Sequence, residues 1–282
     1  MTDRLSGKEL SDEIREGVAR TAAELREGGT TPTLAILLAT EDEGSKWYTR
    51  SIAKAAEKVG IESRLETLSP TASEAEVCAK VEELGGDPGV HAMILQTPLP
   101  EGVRVEAAAE LIPPGKDVDG MTAANLGRLV GGRGGFAPAT AEAVMRLLRW
   151  RGVELAGARA VVLGRSTVVG KPVAQLLLAE DATVTVCHSK TRSIEKIAAE
   201  ADVLVAAVGR ARFVTAEFVR PGAVVIDVGT NAGEDGSLVG DVDADSVEGK
   251  AGALTPVPGG VGLVTTACLL AHAVEAAQAQ AA

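Results

Sequence analysis

The apolar positions of this chain fall into two kinds of pattern. Short continuous runs at 33–39 (TLAILLA) and 91–100 (HAMILQTPLP) read as buried strands, and residues 61–68 (IESRLETL) alternate as a strand does. Between them lie stretches of helical period. One runs to Val59 and stops at Gly60, one covers 73–86 and ends in two glycines, and a short one lies near 103–111. A turn-rich loop, PPGKDVDG, follows at 113–120. The pattern then restarts. A helix around 141–151 leads to four further runs, at 158–164, 183–189, 203–209 and 223–229, and an Ala-rich helix over 264–278 closes the chain. Continuous apolar strands alternating with helices argue for parallel sheets covered on both faces. The expected fold class is α/β in two domains, each a mostly parallel sheet with flanking helices. The boundary is expected within the helix that ends near Gly152.

Composition agrees with two globular domains: 282 residues, 46% hydrophobic and 24% charged. The formal net charge of -11, with no compensating run of Lys or Arg, argues against nucleic acid as a partner. Cys78, Cys187 and Cys268 lie far apart without CxxC spacing, which predicts reduced thiols and no metal site. The N-terminus, MTDRLSGKEL, lacks the apolar core of a signal peptide. The run nearest to membrane-spanning length, LVTTACLLAHAVEAA, is interrupted by His272 and Glu275. These features predict a cytoplasmic protein with no membrane partner.

The first chemical signal is the stretch 160–178, AVVLGRSTVVGKPVAQLLL, which reads as strand, glycine turn and helix. It offers Gly164 and Gly170 but lacks the middle glycine of GxGxxG, and Pro172 sits near the first helical turn. Backbone N–H groups at such a helix start form an anion site, so a dinucleotide is favoured over a bare structural turn. An NAD site usually has Asp or Glu at the end of the next strand. Here that position reads VCHSK. His188, Ser189 and Lys190, with Arg165 in the glycine turn, are donors suited to a 2′-phosphate, which favours NADP. For His188 a plain loop role remains the alternative. A second signal is GSKWYTRSIAK (44–54), where the only tyrosine, Tyr48, follows one of two tryptophans in a chain that is 2% aromatic. Neighbours on a helix point about 100° apart. Trp47 is therefore expected to pack while Tyr48 faces a site.

Taken in order, SKWYTRS, ILQTPLP, KDVDG, NLGRL, VVLGRSTVVGKP, TVTVCHSKT, VIDVGTN, LVGDVD and TPVPGGVG resemble the methylenetetrahydrofolate dehydrogenase/cyclohydrolase family from about residue 45 to 265. The resemblance implies an N-terminal folate domain (1–145, joined by the C-terminal helix 264–282) and a Rossmann-like NADP-binding domain (146–263). It also implies a cleft between them and a tendency to homodimers. It places Tyr48 against the bound folate, Gln96 (flanked by Leu95 and Thr97) at the reacting region, and Asp119 on the pterin. The backbone-rich loop Pro258, Gly259, Gly260, Val261 and Gly262 falls beside the substrate, and Gly164, Arg165, Ser166, Ser189 and Thr230 fall on the cofactor. The chemistry suits these roles: a carboxylate accepts adjacent pterin N–H groups as a pair, and a planar ring stacks on a tyrosine face.

One departure changes the implied activity. The family pattern S-x-x-Y-x-x-x-K puts tyrosine and lysine one helical turn apart. Here Ser45 and Tyr48 are in place but the lysine position is Ile52, and Lys54 lies about 200° around the axis from it. Hydride transfer needs mainly positioning, whereas hydrolysis of the methenyl product needs proton transfer, which an aliphatic side chain cannot perform. The expectation is an NADP-dependent dehydrogenase, with Tyr48, Gln96 and Asp119 as catalytic residues and weak or absent cyclohydrolase activity. Other readings are a fully bifunctional enzyme, a dehydrogenase for a modified folate, and a non-catalytic folate- or NADP-binding protein. Further departures fall at PATA (138–141), Met121 and Leu263.

Overall fold

The structure, a computed structural model, describes residues 2–233 and 236–281. In chain order its elements are β1 (Asp3–Arg4), α1 (Lys8–Glu27), β2 (Thr33–Leu38), α2 (Glu43–Lys58), β3 (Glu62–Thr67), α3 (Glu74–Gly86) and β4 (Ala92–Leu95). Then come α4 (Val105–Ala109), α5 (Ala123–Val130), α6 (Ala139–Trp150), β5 (Arg159–Leu163), α7 (Gly170–Ala179), β6 (Thr183–Cys187), α8 (Ile194–Ala198) and β7 (Val203–Ala206). A 3-10 turn (Ala216–Phe218), β8 (Val224–Asp227), β9 (Asn231–Ala232), β10 (Leu238–Val239), α9 (Ala244–Val247), β11 (Ala253–Leu254) and α10 (Val261–Ala281) complete the order. The chain divides into two compact units, one of residues 12–139 with 266–282 and one of residues 1–11 with 140–265.

The first unit is built on a parallel sheet in the order β3-β2-β4. All six residues of β2 are buried, as befits a central strand covered on both faces. Ala35, Leu37, Met93 and Leu95 from the sheet pack with Val77, Val81 and Leu84 of α3 and with Ile112. Local signals set the helix ends. Asp42 caps α2 by accepting from the Ser45 N–H at 2.7 Å, and Ser73 with Glu76 forms a capping box on α3. Gly60, at φ +86°, takes the left-handed conformation that turns the chain from α2 into β3.

The second unit holds a six-stranded parallel sheet ordered β1-β11-β8-β7-β5-β6. Its core joins Val161, Leu163, Leu204 and Val225 to Phe218, Val219 and Val247. The chain ends depart from the expected division. β1 pairs in parallel with β11, so residues 1–11 group with this unit and not with the N-terminal domain of 1–145. The division falls at Ala139, the start of α6, and not in the helix end near Gly152. α10 is longer than the expected 264–278. It is long and apolar enough to cross a bilayer, yet 67% of that window is buried inside the protein.

Candidate active site

In the first unit, α2 presents its buried face through Ser45, Thr49, Ile52 and Ala56, the spacing of a helix stripe. Tyr48 flanks that stripe and is half-buried. Its phenol meets the side chain of Thr266 on α10, and its pKa is raised, first by burial and then by the charge of Asp119. Ile52, one turn on, is 0% exposed, whereas Lys54 is exposed and Lys46 is paired with Glu41 and Glu43. Trp47 corrects the sequence expectation: it is 70% exposed and does not pack. It lies about 140° around the helix from Ile52, away from the buried stripe.

Asp119 is the second acid of the KDVDG loop. The loop is tied by its first acid, Asp117, which is fully buried and accepts from the N–H groups of Met121 (3.1 Å) and Thr122 (2.9 Å) and from Asn125 Nδ2 (2.9 Å). That arrangement also explains the asparagine of NLGRL. Gly120 turns at φ +62°, and a Cβ there would meet Ala137 C and Pro138 N at 2.5 Å, so only glycine lets the loop press on 136–138. Asp119 is thereby held half-buried beside the Ala139 N–H. Burial, then the neighbouring Asp117 charge, pushes its carboxyl up to about 7, against the opposing pull of His272 and the Ala139 N–H. His272 is itself buried, with Nδ1 2.8 Å from the Val118 carbonyl, which fixes the Nδ1–H tautomer. In the sequence it was only an interruption of an apolar run; its position beside Asp119 comes from the tertiary fold.

Gln96 follows β4. It is half-buried, its N–H bonds the Leu37 carbonyl at 2.9 Å, and its side chain donates to the Thr97 carbonyl at 2.6 Å. The same carbonyl accepts from Ser45 Oγ at 3.2 Å, which links the start of α2 to the strand end. Leu95 points into the hydrophobic core, so only its backbone can face a ligand; Thr97 is exposed. This unit thus brings together Tyr48, Asp119, Thr266 and His272, in a setting without an ammonium group at position 52.

The second unit carries the other predicted residues. The chain passes from β5 to β6 on one side of β5 and then to β7 on the other, so the carboxyl ends of β5 and β7 form the switch point at which ligands bind in open parallel sheets. Gly164 turns there at φ +117°, and a Cβ on it would lie 2.1 Å from the Ala207 carbonyl oxygen. A Cβ on Gly170 would lie 2.3 Å from the Gly164 carbonyl oxygen. Ser166 Oγ accepts from the N–H groups of Val169 (3.2 Å) and Gly170 (3.3 Å) at the start of α7. Arg165, Ser166, Ser189, Lys190 and Thr230 are exposed at strand ends on this side of the sheet. His188 shapes its loop: Nδ1 accepts from the Lys190 N–H at 3.1 Å, and its own N–H bonds Thr191 Oγ1 at 2.9 Å. The close-packed glycines and the exposed Arg165 and Lys190 fit an anionic dinucleotide, whereas the N–H groups of Val169, Gly170 and Lys171 are held by Ser166 and that of Val173 by the Val169 carbonyl.

The loop Pro258–Gly262 leads into α10. Gly259 turns at φ +108° and its carbonyl accepts from the Gly7 N–H at 2.9 Å. A Cβ on Gly7 would lie 2.3 Å from the Gly260 carbonyl oxygen, so the N-terminal segment, which carried no sequence signal, backs this loop. Pro258 and Gly262 are exposed and Val261 is buried. Among the described residues no group of three or more His, Cys, Asp or Glu could hold a metal ion.

Comparisons with known proteins match both units. Residues 5–119 match the family described as tetrahydrofolate dehydrogenase/cyclohydrolase, catalytic domain, and residues 138–281 match its NAD(P)-binding domain. The chain is 53% identical to bifunctional protein FolD 1 of Rhodococcus jostii (strain RHA1), over 99% of this chain and 94% of that protein. A bifunctional FolD methylenetetrahydrofolate dehydrogenase/cyclohydrolase from Campylobacter jejuni superposes with a TM-score of 0.96 at 38% identity, covering 99% of both chains. The Trypanosoma brucei enzyme, solved with NADP cofactor and inhibitor, gives 0.93 at 36% identity over 99% of this chain and 98% of that one. Both units of the chain, with the loops that hold Asp119 and Gly164, are those of the tetrahydrofolate dehydrogenase/cyclohydrolase family, and the protein belongs to it.

Proposed function

We propose that this protein oxidises 5,10-methylenetetrahydrofolate to 5,10-methenyltetrahydrofolate with NADP as hydride acceptor, and that its methenyl cyclohydrolase activity is weak or absent. One observation carries the second half of that reading. The residue one turn beyond Tyr48 is a fully buried isoleucine, and the nearest lysines on α2 are exposed or paired elsewhere. In this reading Asp119 accepts paired N–H bonds from the pterin, Tyr48 packs on the folate rings, and Gln96 orients the one-carbon bridge. Leu95 through its backbone, Thr97 and the 258–262 loop complete the folate contacts.

NADP is assigned to the crevice at Gly164, with Arg165, Ser166, Ser189 and Thr230 as contacts. No carboxylate stands at the end of β6, and Arg165 and Lys190 suit a 2′-phosphate. When bound, the cofactor supplies the hydride acceptor. The chain's own residues position the methylene carbon and stabilise the cation left when its hydride departs. Hydrolysis of that cation needs a water made nucleophilic and a proton taken up, and Ile52 can do neither.

We further propose a cytoplasmic homodimer. β6 is an edge strand, and Val186 on it and Leu178 on α7 beside it are 39% and 56% exposed. Full bifunctionality is the competing reading, favoured by the bifunctional names of the relatives. The test is to follow NADPH formation and methenyl hydrolysis separately on purified wild type and on Ile52→Lys. The expected result is oxidation without matching hydrolysis, with hydrolysis raised at least about 10²-fold in the variant, the lower end of what a general acid or base contributes. Family-like hydrolysis by the wild type would refute it.

A further inference from the structure

Among the described residues, Asp117, Asp227 and Asp241 are buried outside these contacts with no ion pair, and Asp241 reaches the dinucleotide crevice. Asp241 is 0% exposed. Its Oδ2 accepts from the N–H groups of Val208 (2.6 Å) and Gly209 (3.0 Å), and its Oδ1 from the Arg210 N–H (2.9 Å) and Asn231 Nδ2 (3.0 Å). Three successive backbone donors converge on one carboxylate, which neutralises it by N–H dipoles in place of a salt bridge. Such convergence fixes the turn that follows β7. We infer that Asp241 is a positioning residue of the dinucleotide site: it sets the wall formed by residues 207–210 and ties it to the Thr230–Asn231 segment.

The geometry links this carboxylate to the crevice at both ends. The turn it holds begins at Ala207, whose carbonyl oxygen leaves no room for a side chain on Gly164 across the switch point. Gly209 takes φ +65° within it, and the guanidinium of Arg210 lies 4.4 Å over the Phe213 ring, fixing the outgoing chain. On the other side, Asn231 follows the proposed cofactor contact Thr230. A Cβ on Gly229 would lie 2.4 Å from the Asp241 carboxyl carbon, so glycine there is the condition for this approach. The backbone N–H of Asp241 is held in turn by Asp227 Oδ1 at 2.9 Å, which leaves the carboxylate little freedom to follow a displaced turn. One side chain therefore couples the turns after β7 and β8.

The inference rests on the reading that the dinucleotide occupies this crevice, and the test separates the two. Asp241→Asn keeps size but turns an N–H donor toward backbone donors. Loss of charge-assisted bonds of this kind predicts NADP⁺ binding weakened about 10–100-fold by titration calorimetry, with the KM for methylenetetrahydrofolate changed less than about 2-fold. Asp241→Asn with Asn231→Asp restores an amide–carboxylate pair and is expected to recover about 10-fold of that loss. Leu148→Ala, a buried α6 substitution, serves as a stability control and should leave NADP⁺ affinity unchanged. If Asp241→Asn does not fold, Asn231→Ala removes one donor only and is expected to weaken NADP⁺ about 3–10-fold. An NADP⁺ affinity within 3-fold of wild type in the folded variant, or an equal loss in Leu148→Ala, overturns the positioning role. Unchanged NADP⁺ affinity in Arg165→Ala overturns the crevice reading itself.

Discussion

Asp119→Asn is predicted to make the protein more stable and less active at the same time. The carboxyl of Asp119 rises to about 7 because burial and Asp117 disfavour its charge more than His272 and the Ala139 N–H support it. In the unfolded chain the same group ionises near 3.8. Between those values the folded protein holds a proton that the unfolded chain has released, so this group's contribution to stability is greatest below about 4 and is lost as pH rises to about 7. Three units at about 1.4 kcal/mol each give an upper bound of about 4 kcal/mol, and partial solvent access reduces it to about 2 kcal/mol. Asparagine carries no charge at any pH. The variant should melt about 4–8 °C above wild type at pH 8, with the gap closing toward pH 4. Calorimetric scans of both proteins across that range read the difference directly, and subtraction removes Asp227, whose carboxyl burial also raises, to about 6. The wild-type kcat/KM for the folate should rise through pH 7 as the carboxylate forms, and the variant should lose about 10²-fold, the worth of paired charge-assisted bonds. A pH-independent melting difference, or a variant of wild-type activity, would refute the assignment of Asp119 as a strained, ligand-facing carboxylate.

Three other outcomes are expected. Arg165→Ala should lower kcat/KM with NADP⁺ about 10–100-fold and with NAD⁺ by less than about 3-fold, since only the former has a 2′-phosphate to lose; steady-state rates with each cofactor check this. Gly240→Ala should cost at least about 3 kcal/mol in urea unfolding, because its Cβ would lie 1.8 Å from Asp227 Oδ2, which is already fixed by the N–H of Val242 at 3.0 Å. Ile52→Lys should gain hydrolysis while lowering the melting temperature, because an ammonium replaces a side chain that is 0% exposed.

The strands that were legible are those long enough to carry a pattern: β3 alternates and β6 is a run of Thr and Val, though neither is continuously buried. β2, β4, β5, β7 and β8 are apolar runs, and each appears within a few residues of its expected place. β1, β9, β10 and β11 are two residues long, too short for any periodicity, and exist because partners are held beside them. α1 is long but highly charged; its burial rests on scattered positions such as Leu10, Val18 and Ala22, a faint stripe to read unaided. Trp47 shows a different limit. Helical geometry gives the angle between neighbours but not which of them faces inward. That is decided by Ser45, Thr49, Ile52 and Ala56, whose burial turns Trp47 to solvent.

The site divides along the same line. Motif matching reaches Tyr48, Gln96, Asp119 and Gly164, which offer a ring, an amide, a carboxylate and a turn where a ligand can meet them. It passes over Asp117, Asp241, Thr266 and His272, whose partners lie within the protein. Yet those residues set the properties of the others. Asp117 raises the Asp119 carboxyl and His272 opposes it, while Asp119 and Thr266 act in opposite directions on the Tyr48 phenol. Ile52 gains its meaning in that balance. An ammonium at position 52 would favour the ionised forms of both groups. An aliphatic side chain adds no such charge, which leaves His272 and the Ala139 N–H as the groups that favour the ionised Asp119 carboxyl, held at about 7. In the proposed reading, the cation formed by hydride removal meets the Asp119 carboxylate with no ammonium at position 52 to compete for it, and hydrolysis is therefore expected to lag behind oxidation.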